Sequence, residues 1–348
     1  MTRIRTLVAV LAIALPIPAV VAGCGGSSSN NEDPQKVLDE TFNNSTKITS
    51  GTLDISLDGS AQGQQSGNFN ATISGPFETD PNDPNAFPQF DLAANVGGSS
   101  GGPSISFSGS LIATKDNAYV EYQNQAYEVG SDVFKQFTQS YAQAAKQSQS
   151  QRSNQNVFDR LGIDPSTWLT NVSNEGTTDV EGTDTIHVHG DADVAKIFTD
   201  LQKVAQQTGG ATAQQFTPQQ LDQLKSAVKQ ASIDVYSGTD DHLLRKLALS
   251  LQITPPAGTS ATVSSVDLNF SIALSDVNQP QTISAPSNAK PISDLLNQLG
   301  IPGLPGVGGT GGLGLPGTGS GGAGSSSYQN CIANAKTQSD ARKCLQKL

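Results

Sequence analysis

The chain has 348 residues, a length that fits one large domain or two ordinary domains. Only 35% of its residues are hydrophobic, 5% are aromatic and 15% are charged. Its 20 basic and 31 acidic side chains give a net charge of −11, which argues against a basic groove for a nucleic-acid backbone. The three cysteines, at positions 24, 331 and 344, are too far apart for a CxxC-type metal site.

Residues 1–23 have the pattern of a signal peptide: two arginines, then an apolar run that Pro16 and Pro18 make too short and interrupted for a spanning helix. The segment ends in Val-Ala-Gly-Cys24, which is similar to a bacterial lipobox. We therefore expect Cys24 to carry the lipid that anchors the mature chain to the extracytoplasmic face of a cell membrane, with an ordinary signal peptide and a chance cysteine as the alternative. The polar residues 24–32 read as a flexible tether.

The domain that we predict over residues 33–300 begins with a helix over 33–44, in which Asp33 is the N-cap and Pro34 the first residue. The hydrophobic period then changes from 3.6 to 2, which predicts an antiparallel meander up to residue 129 with one apolar and one solvated face. The alternating apolar residues of this part are Leu53, Ile55, Leu57, Phe69, Ala71, Ile73, Phe90, Leu92, Ala94, Val96, Ile105, Phe107, Leu111, Val120, Tyr122 and Tyr127.

The second half of the predicted domain mixes helices and strands. Helices are expected from residue 131, around Trp168, over 192–206, from Thr217 to Val228 and over 293–299, and strands near 177–181, 185–189, 233–236, 243–253 and 263–274. This order gives about eleven strands and five helices, the short helix over 293–299 not counted, with the helices grouped between strands six and seven and between strands eight and nine. It predicts an α+β protein whose helices gather on one face of a curved antiparallel sheet.

The C-terminal part has a different composition. Residues 301–327 are rich in Gly, Pro and Ser and are predicted to be a flexible linker. Residues 328–348 are predicted to form a small helical hairpin. In an oxidising compartment Cys331 and Cys344, the two cysteines that remain, are expected to form a disulfide within it. Intermolecular pairing is the alternative.

Motifs that spell catalytic signatures occur in unsuitable surroundings. Gly97–Gly101 reads G-x-S-x-G, but it lies in a Gly/Ser turn and not at a strand-to-helix elbow. His187 and His189 share one face of a predicted strand, but Ile186 and Val188 take the core face, so the histidines are expected to face solvent. We expect no catalytic residues, no metal site and no cofactor.

One stretch is locally basic, because residues 133–158 contain no acidic side chain. Lys135, Lys146 and Arg152 lie in it, and they are candidates for contact with anionic lipid headgroups. A solvated helix face is the alternative reading.

The order of the elements resembles the LppX/LprG-type mycobacterial lipoproteins, which are related to the LolA-like lipoprotein carriers. The resemblance is carried by Val180–Gly190, by the helix that follows and by Ser232–Leu247, and it covers about residues 33–280. It implies a strongly curved half-barrel with helices over its concave face and an apolar cavity between them that holds acyl chains.

We therefore expect a non-enzymatic, membrane-anchored lipoprotein that binds or carries a lipid or glycolipid. The alternative is a structural or interaction protein of the cell envelope whose C-terminal hairpin binds an unidentified partner protein. The candidate cavity-lining residues are Leu53, Ile55, Phe107, Leu249, Leu251, Leu268, Phe270 and Ile272.

Overall fold

The structure, a computed structural model, describes residues 31–64, 66–83, 85–100, 104–149, 162–207, 225–254 and 263–299. Within these ranges the protein is built on one open antiparallel sheet of 12 strands with a few helices, so the predicted α+β class is confirmed. The signal peptide, the tether, the linker and the C-terminal hairpin, with Cys24, Cys331 and Cys344, lie outside the described residues.

The elements follow the predicted order closely. The helices are α1 (Pro34–Phe42), α2 (Ser131–Gln149), α3 (Val194–Gln207) and α4 (Ile292–Gln298), and Pro165–Trp168 forms a 3-10 turn. The strands are β1 (Ser50–Gly63), β2 (Gly67–Glu78), β3 (Gln89–Ser100), β4 (Ile105–Ala113), β5 (Ala118–Tyr122), β6 (Gln125–Glu128), β7 (Leu169–Val180), β8 (Thr183–Ala192), β9 (Val228–Gly238), β10 (Leu244–Ile253), β11 (Val263–Ser275) and β12 (Lys290–Pro291). As predicted, α2 lies between strands six and seven, and α3 between strands eight and nine.

The strand order is β12-β6-β5-β4-β3-β2-β1-β11-β10-β9-β8-β7, so β1 is central. On one side of it the chain runs outward as a meander from β2 to β6. On the other side β7 to β11 return from the edge towards β1. The two-residue β12 pairs with β6 in parallel, whereas the other eleven strands pair antiparallel, in agreement with the predicted eleven.

Helix α1 forms where the sequence predicts it. The Asp33 carboxylate accepts a hydrogen bond from the backbone N–H of Lys36 (3.0 Å), which satisfies a free donor of the first turn. Pro34 occupies the first turn, where the proline lacks only an N–H that would be unpaired anyway. Val37, Leu38 and Phe42 are buried, which confirms the predicted apolar face.

The main core lies between α1 and the strands β8, β9 and β10. Val37 and Leu38 of α1 pack there with Ile186, Val188 and Val235, and all five are fully buried. Burial of each such side chain contributes about 1.5–3 kcal/mol to stability. α3 joins this core through Ile197.

One predicted helix ends one residue earlier than expected. The helix expected from Thr217 to Val228 lies outside the described residues up to position 224, and residues 225–227 are helical. Val228 already begins β9 and pairs with Ile253 of β10. A β-branched valine fits such a pairing, and tertiary contacts outweigh a short helical period. The strand is accordingly longer than the predicted 233–236.

The two edges of the sheet are irregular. β7 pairs with β8 through register shifts after Thr170 and after Asn174, so this edge strand carries two bulges. The opposite edge ends in β12, whose second residue is Pro291. No helix among the described residues is long and apolar enough to span a membrane.

Candidate functional site

The strand registers place all eight candidate cavity residues on one face of the sheet. Residues directly opposite each other in an antiparallel pair point to the same side. One such row crosses seven strands, from β4 to β9, through Phe107, Val96, Ala71, Leu57, Phe270, Leu249 and Ile233. The remaining candidates lie two or four positions from members of this row on the same strands, so they share its face.

This apolar face has a covered half and an open half. Leu249, Phe270 and Ile272 pack against the core beneath α1. Phe107, in contrast, is 46% exposed. It is five strand positions away from Leu249, or about 24 Å at the usual strand spacing. The candidates therefore belong to one continuous face and not to one compact pocket.

The open half lies on β2, β3 and β4, and we refer to its large side chains as the exposed apolar patch. Three of these residues, Ile73, Val96 and Phe107, lie in the two neighbouring cross-strand rows that also contain Ile55 and Leu57. The exposure of the patch ranges from 40% for Phe69 to 71% for Ile105. Its members are Phe69, Ile73, Val96, Ile105, Phe107 and Leu111.

Glycines beside the aromatic rings shape the surface of the patch. The ring of Phe69 lies over Gly59, where an added Cβ would collide with it. Phe107 stacks on Tyr122 with ring centroids 5.9 Å apart, and Gly109 lies beside it. A groove of about 270 Å³ opens next to Phe69, between the ends of β1, β2, β3 and β11. This is slightly below the roughly 300–1,000 Å³ of typical small-molecule sites, so a long acyl chain would also have to extend over the patch.

The opposite face of the same strands is polar. Side chains pair across it, for example Ser56 with Ser271 (2.9 Å between hydroxyl oxygens) and Ser110 with Glu121, whose carboxylate accepts at 2.9 Å. The alternation predicted from the sequence therefore produces a sheet with one apolar and one hydrated face.

Two of the three predicted headgroup residues lie on α2. Lys135 and Lys146 are exposed, and Arg152 is outside the described residues. The other side of α2 carries Phe134, Phe137 and Tyr141, which surround Phe87 edge-on at centroid distances of 5.0–6.0 Å. These rings attach α2 to the β2–β3 connection.

His187 and His189 face away from the core, as predicted, since Ile186 and Val188 are fully buried. Both imidazoles lie 2.8 Å from the same oxygen of Asp234 on β9. Burial, together with the nearby Asp234 carboxylate, raises the pKa of Tyr236. Sequence reasoning missed Asp234, although the alternation of Ile233 and Val235 already placed it on the solvated face.

A buried acid holds α3. Asp200 is fully buried and accepts hydrogen bonds from Trp168 Nε1 (3.0 Å), Lys196 Nζ (2.5 Å) and Lys203 Nζ (2.7 Å). Burial alone would raise the pKa of this carboxyl, but the three donors outweigh burial and hold its pKa below the usual value. The contact fixes α3 to the 3-10 turn at the edge of the main core.

No protein-family model and no curated protein matches the chain. Among solved structures it is similar to LprF from Mycobacterium bovis (12% identity, TM-score 0.36, 73% of this chain and 96% of that one). It is also similar to the lipoprotein LppX from Mycobacterium tuberculosis (12% identity, TM-score 0.31, 72% and 98%). A LolA superfamily protein from Nitrosomonas europaea is similar at 6% identity and a TM-score of 0.17, over 70% and 94% of the two chains. LprF and LppX are members of the lipoprotein family that the sequence resembles.

Proposed function

We propose that this protein is an extracytoplasmic lipoprotein that binds or carries a lipid or glycolipid, without catalysis, against the open half of its apolar sheet face. The observation that supports this most is the exposed apolar patch. Six large apolar side chains on three adjacent strands are 40–71% exposed in a chain with a net charge of −11. A contiguous exposed apolar surface of this kind more often marks a binding site than a surface without a function.

The proposed mechanism is desolvation. Each acyl CH₂ that leaves water contributes about 0.8 kcal/mol. In the covered half, Leu249, Phe270 and Ile272 pack against the core, and the patch supplies the surface that is exchanged between water and ligand. The polar opposite face stays hydrated with and without ligand, so the ligand binds to one side of the sheet only.

The decisive experiment is native mass spectrometry of the protein purified from its own host, followed by organic extraction. We expect a lipid to co-purify at a defined stoichiometry. Absence of any co-purifying lipid, together with failure of the delipidated protein to bind a fluorescent fatty acid, would overturn the proposal.

Two finer parts of the proposal have their own tests. Anchoring through Cys24 predicts that Cys24→Ser removes the acyl modification and shifts the protein from the detergent phase to the aqueous phase. Contact of α2 with anionic headgroups predicts that neutralising Lys135, Lys146 and Arg152 together weakens binding to anionic vesicles. Unchanged partitioning or unchanged vesicle binding would contradict the respective part.

A further inference from the structure

A separate cluster of side chains lies where the start of the domain meets the turn between β9 and β10. Glu32 precedes α1, Glu40 lies near the end of α1, and His242 is in the turn. His242 Nε2 is 3.3 Å from Glu40 Oε2 and 3.8 Å from Glu32 Oε2. One candidate ligand atom from each of the three residues lies within 4.8 Å of the others.

Two atoms of the cluster have no hydrogen bond among the described residues. Glu40 Oε2 and His242 Nδ1 are both buried and neither makes a hydrogen bond, although Glu40 Oε2 lies 3.3 Å from His242 Nε2. A buried carboxylate oxygen without a donor is unfavourable. A cation between the carboxylates and the imidazole would give Glu40 Oε2 a partner. The His242 ring can turn towards such a cation, because no hydrogen bond at Nδ1 holds it in one orientation.

The backbone around the cluster is held in place. Asn174 Nδ2 donates to the Glu32 carbonyl at 2.8 Å. His242 has a positive φ of 49°, and its N–H donates to the Gly238 carbonyl at 2.9 Å. Asn44 Nδ2 also donates to the Asp241 carbonyl, at 2.8 Å, so α1 and the turn are already joined beside the cluster.

Lys36 is the resident cation of this region. Its Nζ lies 3.5 Å from Glu40 Oε1 and 3.9 Å from Glu32 Oε2, and its side chain is 60% exposed. It therefore contacts the Glu40 oxygen that points away from His242, and also the Glu32 oxygen that lies 3.8 Å from His242 Nε2. An open depression of about 470 Å³ borders Glu40 and His242, which gives an ion access and leaves room for water ligands.

We propose that Glu32, Glu40 and His242 form a binding site for a divalent transition-metal ion, for which Zn²⁺ fits best. Imidazole and carboxylate ligands at Zn²⁺ distances of 2.0–2.2 Å are about 3.4 Å apart in tetrahedral geometry, close to the two distances observed. Mg²⁺ and Ca²⁺ prefer ligand sets made of oxygen alone. The bound ion links the first residues of the domain to the β9–β10 turn.

Isothermal titration calorimetry of the full chain with ZnCl₂ tests the site. We expect Glu40→Gln and His242→Ala each to raise the Kd for the specific site at least about tenfold. His189→Ala is the matched control, since it removes an imidazole elsewhere and leaves the Kd unchanged. MgCl₂ at the same concentration gives no binding heat.

The Lys36→Met variant distinguishes a metal site from a simple ion-pair network. Removal of a cation 3.5 Å from a ligand carboxylate should tighten Zn²⁺ binding several-fold. Circular dichroism checks that each variant is folded, and the nearly isosteric Glu40→Gln carries the test if His242→Ala unfolds. No Zn²⁺ binding by the native chain, an equal Kd in the native chain and Glu40→Gln, or weaker binding by Lys36→Met would overturn the proposal.

Discussion

Replacement of Ile105 by threonine tests whether the exposed apolar patch binds acyl chains. Ile105 is 71% exposed, and full burial of such a side chain is worth about 2 kcal/mol. A ligand that covers the exposed part gains about 1.4 kcal/mol from it, whereas folding gains only about 0.6 kcal/mol from the part already buried. Threonine keeps the β-branched shape that suits a strand, so most of the loss should fall on binding.

The assay is titration of a fluorescent fatty acid into the delipidated protein, with the free energy of unfolding measured in urea on the same samples. We expect Ile105→Thr to weaken binding by five- to tenfold and to lower the free energy of unfolding by less than about 1 kcal/mol. Ser106→Ala is the matched control, because Ser106 is the next residue on β4 and points to the polar face. Equal affinity of Ile105→Thr and the native protein, with an acyl chain demonstrably bound, would refute the assignment of the ligand to this patch.

Three further predictions concern the scaffold. Ile233→Ala should lower the free energy of unfolding by about 2–5 kcal/mol in urea denaturation, because Ile233 is 1% exposed beneath α1; a loss below 1 kcal/mol would contradict a packed core there. Asp200→Asn should destabilise the protein most above about pH 4. The pKa of Asp200 is lower in the folded state than in the unfolded state, so its carboxylate stabilises the fold above the unfolded-state pKa. This stabilisation is lost as the pH falls through the folded-state pKa. Urea denaturation from pH 3 to 7 checks this, and a pH-independent difference would count against it. Gly75→Ala should lower the free energy of unfolding by about 3 kcal/mol or more, because φ at Gly75 is +148° and an added Cβ would collide with the Asp91 carbonyl. Thermal unfolding checks this, and a variant with the Tm of the native protein would show that β2 and β3 separate easily.

Alternation along single strands was enough to predict much of the fold. The run from Leu53 to Leu57 and the run from Val266 to Leu274 each identify a strand and the face that it presents to the core. Because the side-chain period of a strand is two, these two assignments also placed the five candidate residues that they contain on the apolar side. They did not reveal which half of that face α1 covers, since this depends on strand order.

The contacts that sequence reasoning missed join residues far apart in the chain. Asp234 reaches His187 and His189 only because β8 and β9 pair in one particular register. His242 meets Glu32 and Glu40 across about two hundred residues, and no local pattern signals such a meeting. Val228 shows the opposite error, in which a local helical period was followed although the residue pairs with Ile253 in the sheet.

The irregular edges of the sheet have a consequence for association between copies of the chain. An unclosed sheet offers backbone N–H and C=O groups at both ends, and copies that meet at high local concentration could pair edge to edge. The bulges after Thr170 and Asn174 interrupt any regular ladder along β7. At the other end Pro291 has no N–H to donate, and β12 is only two residues long. These irregular edges therefore disfavour regular edge-to-edge pairing between copies of the chain.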